Sequence, residues 1–187
     1  EVVADRTNVR IHRHRINLGL GAALRSGFGL AQGATIVVID LDLTYAPEHI
    51  DVLLERIRET QAMIVLASPY MAGGRATSVP WLRRIMSRWG NRFLALTARG
   101  VNPAGNISTL TGRVRAYDAG FIRALNLKST GMEINTEIIY KGMLLNARIE
   151  EVPAHLDWSA RKPNLSIRAS GRRIQRKKGI SVKIDPV

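Results

Sequence analysis

The chain of 187 residues contains no cysteine, which excludes disulfides, cysteine-ligated zinc and a thiol nucleophile, and is compatible with a reducing compartment. Aromatic residues make up only 5%, too few for the stacking platforms of single-strand nucleic-acid binders. No apolar run approaches the roughly 18 residues of a membrane span. No signal peptide is recognisable. Acidic residues are the minority, 15 against 28 Lys and Arg, giving a net charge of +13. Such an excess calls for an anionic partner: nucleic acid, phosphate groups or a lipid surface. The bases are uneven, with a dense run in "RRIQRKK" (172–178) that reads as a solvated tail or a contact surface.

What is present is ordinary for one globular domain: 45% hydrophobic residues and enough chain to bury a core. Strand and helix signals alternate. A short strand-like stretch around Val9–His12 precedes "NLGLGAALRSGFGLAQG" (17–33), a glycine turn into a helix closed by Gly33. "TIVVID" (35–40) is a β-branched apolar run of the kind buried on both faces. In "APEHIDVLLERIRETQ" (46–61), Pro47 suits a first helical turn, and Ile50, Leu53, Leu54 and Ile57 recur on one face. "AMIVLAS" (62–68) is a second buried strand, followed by the Gly/Pro-rich loop "PYMAGGRATSVP". A long helix is expected from Trp81 to about Ala98, a strand over 112–118, a short helix in "AGFIRALNL", and a strong helix over 132–147. Residues 148–158 read as extended chain broken at Pro153. The alternation predicts an α/β fold with a mainly parallel sheet flanked by helices.

The chemistry is concentrated in "VVIDLDLTYAPEHI" (37–50), where a buried strand runs out onto two carboxylates, Asp40 and Asp42. Ligands of open α/β sheets bind beyond the carboxyl ends of strands. Residues two apart in extended chain point the same way. Two adjacent carboxylates repel and favour a cation, and Mg²⁺ or Mn²⁺ takes such oxygens together with a substrate phosphate. Taken alone, the pair is equally a strand-end turn with solvated acids. The glycines at 19 and 21 do not complete a dinucleotide fingerprint, because Leu24 stands at the third glycine position, and no P-loop Lys-Ser/Thr follows. They fit either simple helix packing or a close approach to a ligand.

The order of motifs resembles the family 2 glycosyltransferases, in the branch of dolichol-phosphate and polyprenyl-phosphate mannosyl- and glucosyltransferases. The matching features are Asn-x-Gly-x-Gly-x-Ala-x-x-x-Gly from Asn17, then Ala-x-Gly, the strand ending Asp-x-Asp, and Pro-Glu opening a helix. Downstream lie "ASPYMAGG" (67–74), "SRWGN" (87–91), "TGRVRAYD" (111–118) and "EEVPAHLDWSARKPNLS" (150–166). The resemblance implies a GT-A-like, Rossmann-related α/β domain over residues 1–170, N-terminally incomplete because the family's first strand lies upstream of residue 1. A basic tail follows over 171–187. It implies Asp40 and Asp42 as metal and diphosphate ligands, and Asn17, Gly19 and Gly21 on the nucleotide side. Arg115, Arg161 and Ser166 then face the acceptor phosphate, with Asp42, Arg115 and Arg161 as the catalytic set and Glu137 as a weaker pocket candidate. Aligning on Arg115 places Thr109, beside Ser108, where the family often has an Asp.

The implied reaction is metal-dependent, inverting transfer of a sugar from a nucleotide donor of the GDP-mannose or UDP-glucose type to a polyprenyl or dolichyl phosphate. Such a phosphate is ionised at neutral pH and needs cations to position it more than a base to deprotonate it. The basic surface would then rest on an anionic membrane, at the cytoplasmic face. Two alternatives stand beside this reading: an inactive remnant of the same fold, and a basic nucleic-acid-binding domain. The second leaves Asp40 and Asp42 unexplained, so no nucleic-acid partner is expected.

Overall fold

The β-branched run Thr35–Val38 and the apolar run Ile64–Ser68 become β1 and β2 of a four-stranded sheet in the computed structural model. The model describes residues 9–42, 44–78, 89, 107–109 and 112–160. Of the long helix expected from Trp81 to Ala98, Trp89 alone is among the described residues, where it is helical and exposed; Arg161, Ser166 and the basic tail lie outside them. In chain order the elements are α1 (Leu20–Leu30), β1, α2 (His49–Thr60), β2, β3 (Arg75–Thr77), β4 (Arg115–Asp118), α3 (Ala119–Ala124), α4 (Ile134–Leu144), β5 (Ile149–Pro153), β6 (His155–Asp157) and a 3₁₀ turn (Trp158–Ala160).

The sheet order is β1-β4-β2-β5. β2 and β5 are parallel, and β4 runs antiparallel to both β1 and β2. Three strands therefore share one direction, and β4 is inserted between them in reverse, so the sheet is mixed. β4 pairs Arg115 with both Val38 and Leu66, which sets the start of β4 beside the carboxyl ends of β1 and β2. Chain segments entering β4 thus share an edge with those leaving β1 and β2. That edge carries the candidate site. β3 and β6 form a separate two-stranded parallel sheet.

Alternation along the strands splits the core between two faces. On one, Ile36, Ile64, Leu66 and Tyr117 pack against Phe28 of α1, Ile122 of α3, and Ile134, Ile138, Ile139 and Met143 of α4. On the other, Val65, Ala67 and Ala116 meet Leu53 and Ile57 of α2 together with Val152. Every residue of β2 is buried, as a central strand covered on both faces requires. Leu53 is fully buried, which is worth about 2 kcal/mol for a side chain of that size.

Local chemistry sets the element ends. Pro47 lies in the turn before α2, where its carbonyl accepts from Ile50 N–H at 2.9 Å. Asp118 caps α3 by accepting from Phe121 N–H at 2.7 Å. The strand expected around Val9–His12 does not form. Val9 and Ile11 are 42% and 65% exposed, and among the described strands none pairs with this stretch. A strand pattern without a ladder partner leaves its backbone groups to solvent.

Candidate active site

β1 ends at Val38, and the chain carries Ile39 and Asp40 past the sheet before turning at Leu41–Asp42. Asp42 Oδ1 accepts from the Thr44 amide at 3.2 Å and from the Thr44 hydroxyl at 2.8 Å, which fixes the turn. Thr44 itself is buried, and its carbonyl accepts from Asp157 N–H at 2.8 Å, tying the turn to β6. Asp40 Oδ2 meets a guanidinium nitrogen of Arg113 at 2.9 Å, with side-chain exposures of 22% and 36%. Arg113 lies two residues before β4, on the segment that the antiparallel pairing brings to this edge.

Tyr45 follows this turn and feels the charges of the group. It is buried, and its ring meets His49 edge-on at 5.9 Å between centroids. Burial pushes its phenol well above the ordinary range. Tyr70, Asp40 and Asp42 push it the same way, and Arg113 opposes them. Tyr45 therefore stays a neutral hydroxyl at working pH, within electrostatic reach of two carboxylates, a guanidinium and a second tyrosine.

A second polar group lies at the same edge, at the end of β2. Ser68 Oγ is 2.7 Å from Ser108 Oγ and 2.6 Å from Thr109 Oγ1. Glu151 of β5 accepts from the Ser108 amide at 3.0 Å, the Ser108 hydroxyl at 2.8 Å and the Thr109 amide at 2.9 Å. Both Glu151 oxygens are occupied in holding residues 108–109 against the sheet. Thr109 is thus a buried bonding partner of Ser68.

Asp40 and Asp42 provide two hard oxygen donors, and among the described residues no group of three or more His, Asp or Glu side chains could hold a metal. That set does not make a closed protein cage. It fits Mg²⁺ or Mn²⁺, which bind through one or two carboxylates and complete their octahedron with water and substrate phosphate.

Comparison with known proteins places the chain in a family. The sequence model described as glycosyl transferase family 2 matches residues 1–125. The chain belongs to glycosyl transferase family 2. It is 28% identical over 157 residues to the polyprenol monophosphomannose synthase of Mycolicibacterium smegmatis, covering 81% of this chain and 57% of that one. It is 29% identical over 149 residues to the dolichol-phosphate mannosyltransferase of Pyrococcus furiosus, covering 78% of this chain and 40% of that one. The chain thus spans about half the length of these relatives. Among solved structures it shares the GT-A fold of glucosyl-3-phosphoglycerate synthase from Mycobacterium tuberculosis, in complex with Mn²⁺, uridine-diphosphate-glucose and phosphoglyceric acid. The TM-score there is 0.52 at 15% identity, covering 80% of this chain and 47% of that one.

Within this family 2 domain, the residues named from sequence fall into different places. Asp40 and Asp42 lie together at the carboxyl edge. Asn17, Gly19 and Gly21 have local partners. Asn17 Oδ1 accepts from Gly19 N–H at 2.9 Å, and Gly21 N–H donates to the Thr130 carbonyl at 2.7 Å. Gly19 has φ +87°, and a Cβ there would stand 2.4 Å from the Thr130 oxygen; at Gly21 it would stand 2.2 Å from the Ser129 oxygen. These glycines let residues 129–131 lie directly on the start of α1.

Arg115 is fully buried, and its Nη1 donates to the Asn135 carbonyl of α4 at 2.8 Å. It also bonds Tyr117, whose ring meets Phe28 edge-on at 5.4 Å. The guanidinium at the edge, partly exposed and paired with Asp40, belongs to Arg113. Glu137 is a clamp: it accepts from the Lys128 and Ser129 amides, both at 2.8 Å, and from Lys141 Nζ at 2.6 Å. Burial works to raise its pKa, but the bonds from Lys141, Ser129 and Lys128 prevail and hold it at about 2. Sequence reasoning missed Arg113, Tyr45 and Tyr70. The one available signal was that Tyr45 follows Asp42 within the turn into α2, and that Arg113 precedes a strand already matched to the family.

Proposed function

We propose that this family 2 domain transfers a hexose from a nucleotide-sugar, of the GDP-mannose or UDP-glucose type, to a polyprenyl phosphate, with inversion at the anomeric carbon. The observation that carries the reading is the Asp40–Asp42 pair beside Arg113 at the carboxyl edge of a family 2 sheet. The polyprenol monophosphomannose synthase and the dolichol-phosphate mannosyltransferase among the relatives support the acceptor class.

In this reading Asp40 and Asp42 would hold Mg²⁺ or Mn²⁺, which would supply charge neutralisation at the diphosphate. Arg113 adds a second cation at the same edge. Thr44 fixes the orientation of Asp42, and the buried Tyr45 offers a neutral hydroxyl within electrostatic reach of the pair. Asn17 and the glycine turn border the nucleotide side. The acceptor phosphate is already ionised and needs positioning by cations, a role for Arg161 with Ser166. Arg115, buried and bonded to the Asn135 carbonyl, acts within the core. The catalytic domain spans 1–170, and the basic segment 171–187 contacts an anionic membrane surface, each Lys or Arg near the leaflet contributing about 1 kcal/mol. Among the described residues no helix is long and apolar enough to cross a membrane.

The test is transfer of labelled sugar from GDP-mannose and UDP-glucose to polyprenyl phosphate, with product read in the organic phase. The reading expects transfer that needs Mg²⁺ or Mn²⁺ and disappears in Asp42→Asn. A product of retained anomeric configuration would overturn the inverting mechanism. Sedimentation with vesicles should rise with their anionic lipid content; no such rise would remove the membrane contact.

A further inference from the structure

Arg113 and a divalent cation draw on the same carboxylate. Asp40 Oδ2 is held by the Arg113 guanidinium at 2.9 Å, while Asp42 is turned by Thr44 and makes its bonds locally. The two acids and the guanidinium sum to a charge of −1. A divalent ion brings the cluster to +1, the sign that receives a diphosphate. The same ion makes Asp40 a poorer partner for Arg113, because the carboxylate charge is then shared with a stronger cation. A guanidinium matches phosphate oxygens with the same planar fork that it offers a carboxylate. The Arg113 side chain is 36% exposed and can swing without disturbing the core.

We propose that Arg113 is an exchangeable counter-ion of the acid pair: it holds Asp40 before metal arrives, and transfers to a donor phosphate once the metal takes Asp40. This rests on the reading of Asp40 and Asp42 as a metal and diphosphate site. It makes metal and nucleotide binding cooperative. Metal alone must displace Arg113 from Asp40, whereas metal with a nucleoside diphosphate gives Arg113 a new anionic partner. The wild-type chain therefore binds Mn²⁺ weakly by itself, and more strongly with the nucleotide present.

Mn²⁺ binding to the 187-residue chain, read by electron paramagnetic resonance with and without GDP or UDP, tests this in wild type, Arg113→Gln, Arg113→Lys and Asp42→Asn. Arg113→Gln should bind Mn²⁺ alone about two- to fivefold more tightly than wild type, the size of a partly exposed ion pair. The enhancement of Mn²⁺ affinity by nucleotide should shrink by a similar factor. Arg113→Lys keeps the charge and should stay near wild type for Mn²⁺ alone. Circular dichroism confirms that each variant is folded. If wild type binds Mn²⁺ with nucleotide, Asp42→Asn loses it and Arg113→Gln matches wild type throughout, the counter-ion role is overturned and the metal site stands. If wild type and Arg113→Gln both fail to bind Mn²⁺ with or without nucleotide, both the site and the counter-ion role are overturned.

Discussion

Replacing Glu137 with Gln should loosen the seam between α4 and α1. Glu137 holds the loop before α4 through the Lys128 and Ser129 amides, both at 2.8 Å, and ties it to Lys141 at 2.6 Å. That loop lies against Gly19 and Gly21, so the clamp supports its packing on the start of α1. A carboxyl held at about 2 in place of its ordinary 4.5 has an ionised form favoured by 4.5 − 2 = about 2.5 pK, or about 3 kcal/mol without screening. Solvent beside the Lys141 pair reduces this to about 2 kcal/mol. Gln cannot present two acceptor oxygens, so one amide loses its partner, a loss of about 1–3 kcal/mol by an independent route. The folded pKa is depressed, so the stabilisation is fully present above about pH 4.5 and is lost as pH falls toward 2. At pH 3 it falls to about 40% of its neutral value. Urea unfolding of wild type and Glu137→Gln should differ by about 2 kcal/mol at pH 7 and about 0.8 kcal/mol at pH 3. A difference below about 0.5 kcal/mol at pH 7, or one unchanged at pH 3, would refute the clamp.

Other substitutions separate packing roles from site roles. Arg115→Ala removes a fully buried guanidinium and leaves the Asn135 carbonyl without its donor; it should lower stability by about 3 kcal/mol or more in urea melts. An unchanged midpoint would show that Arg115 is not a core residue. Gly21→Ala places a methyl 2.2 Å from the Ser129 oxygen and should lower the thermal midpoint, as a small-to-large change costing about 1–3 kcal/mol; a stabilised variant would mean that residues 129–131 do not lie on α1. Asp118→Ala removes the α3 cap and should cost about 1 kcal/mol, checked by the same melts, with a loss under about 0.3 kcal/mol counting against the cap.

The buried strands and α2 were legible because their patterns are local. Thr35–Val38 and Ile64–Ser68 are apolar runs that need no knowledge of partners, and Leu53 and Ile57 show a helical stripe in one glance along the chain. The direction of β4 was not legible: "RAYD" reads the same whether it runs with or against β1. That reversal matters, because it delivers Arg113 to Asp40 across a separation of 73 residues, a contact no spacing rule reaches. Val9–His12 carries a strand pattern yet lacks a ladder partner among the described strands, so composition alone overstated it. Asn17, Gly19 and Gly21 were placed on the nucleotide side by the resemblance, while the glycines by themselves fitted helix packing or a close approach to a ligand. The structure fills that space with the backbone of Ser129 and Thr130. Arg115 matched a motif by type, and burial against Asn135 is a property the motif does not reveal. Asp40 and Asp42 are a common pair when taken alone; they stood out because the order of the neighbouring motifs resembles the family, and their place at the carboxyl edge follows from the sheet.

The central claim is that Asp40 and Asp42 form a metal-dependent nucleotide-diphosphate site. It is tested most directly by calorimetric titration of GDP and UDP into the chain, with and without Mn²⁺, alongside Asp42→Asn. The account predicts binding that requires Mn²⁺, favours one of the two bases, and is lost in the variant. Binding of equal strength in a folded Asp42→Asn chain, or none by a folded wild type, would contradict it and return the acid pair to a strand-end turn.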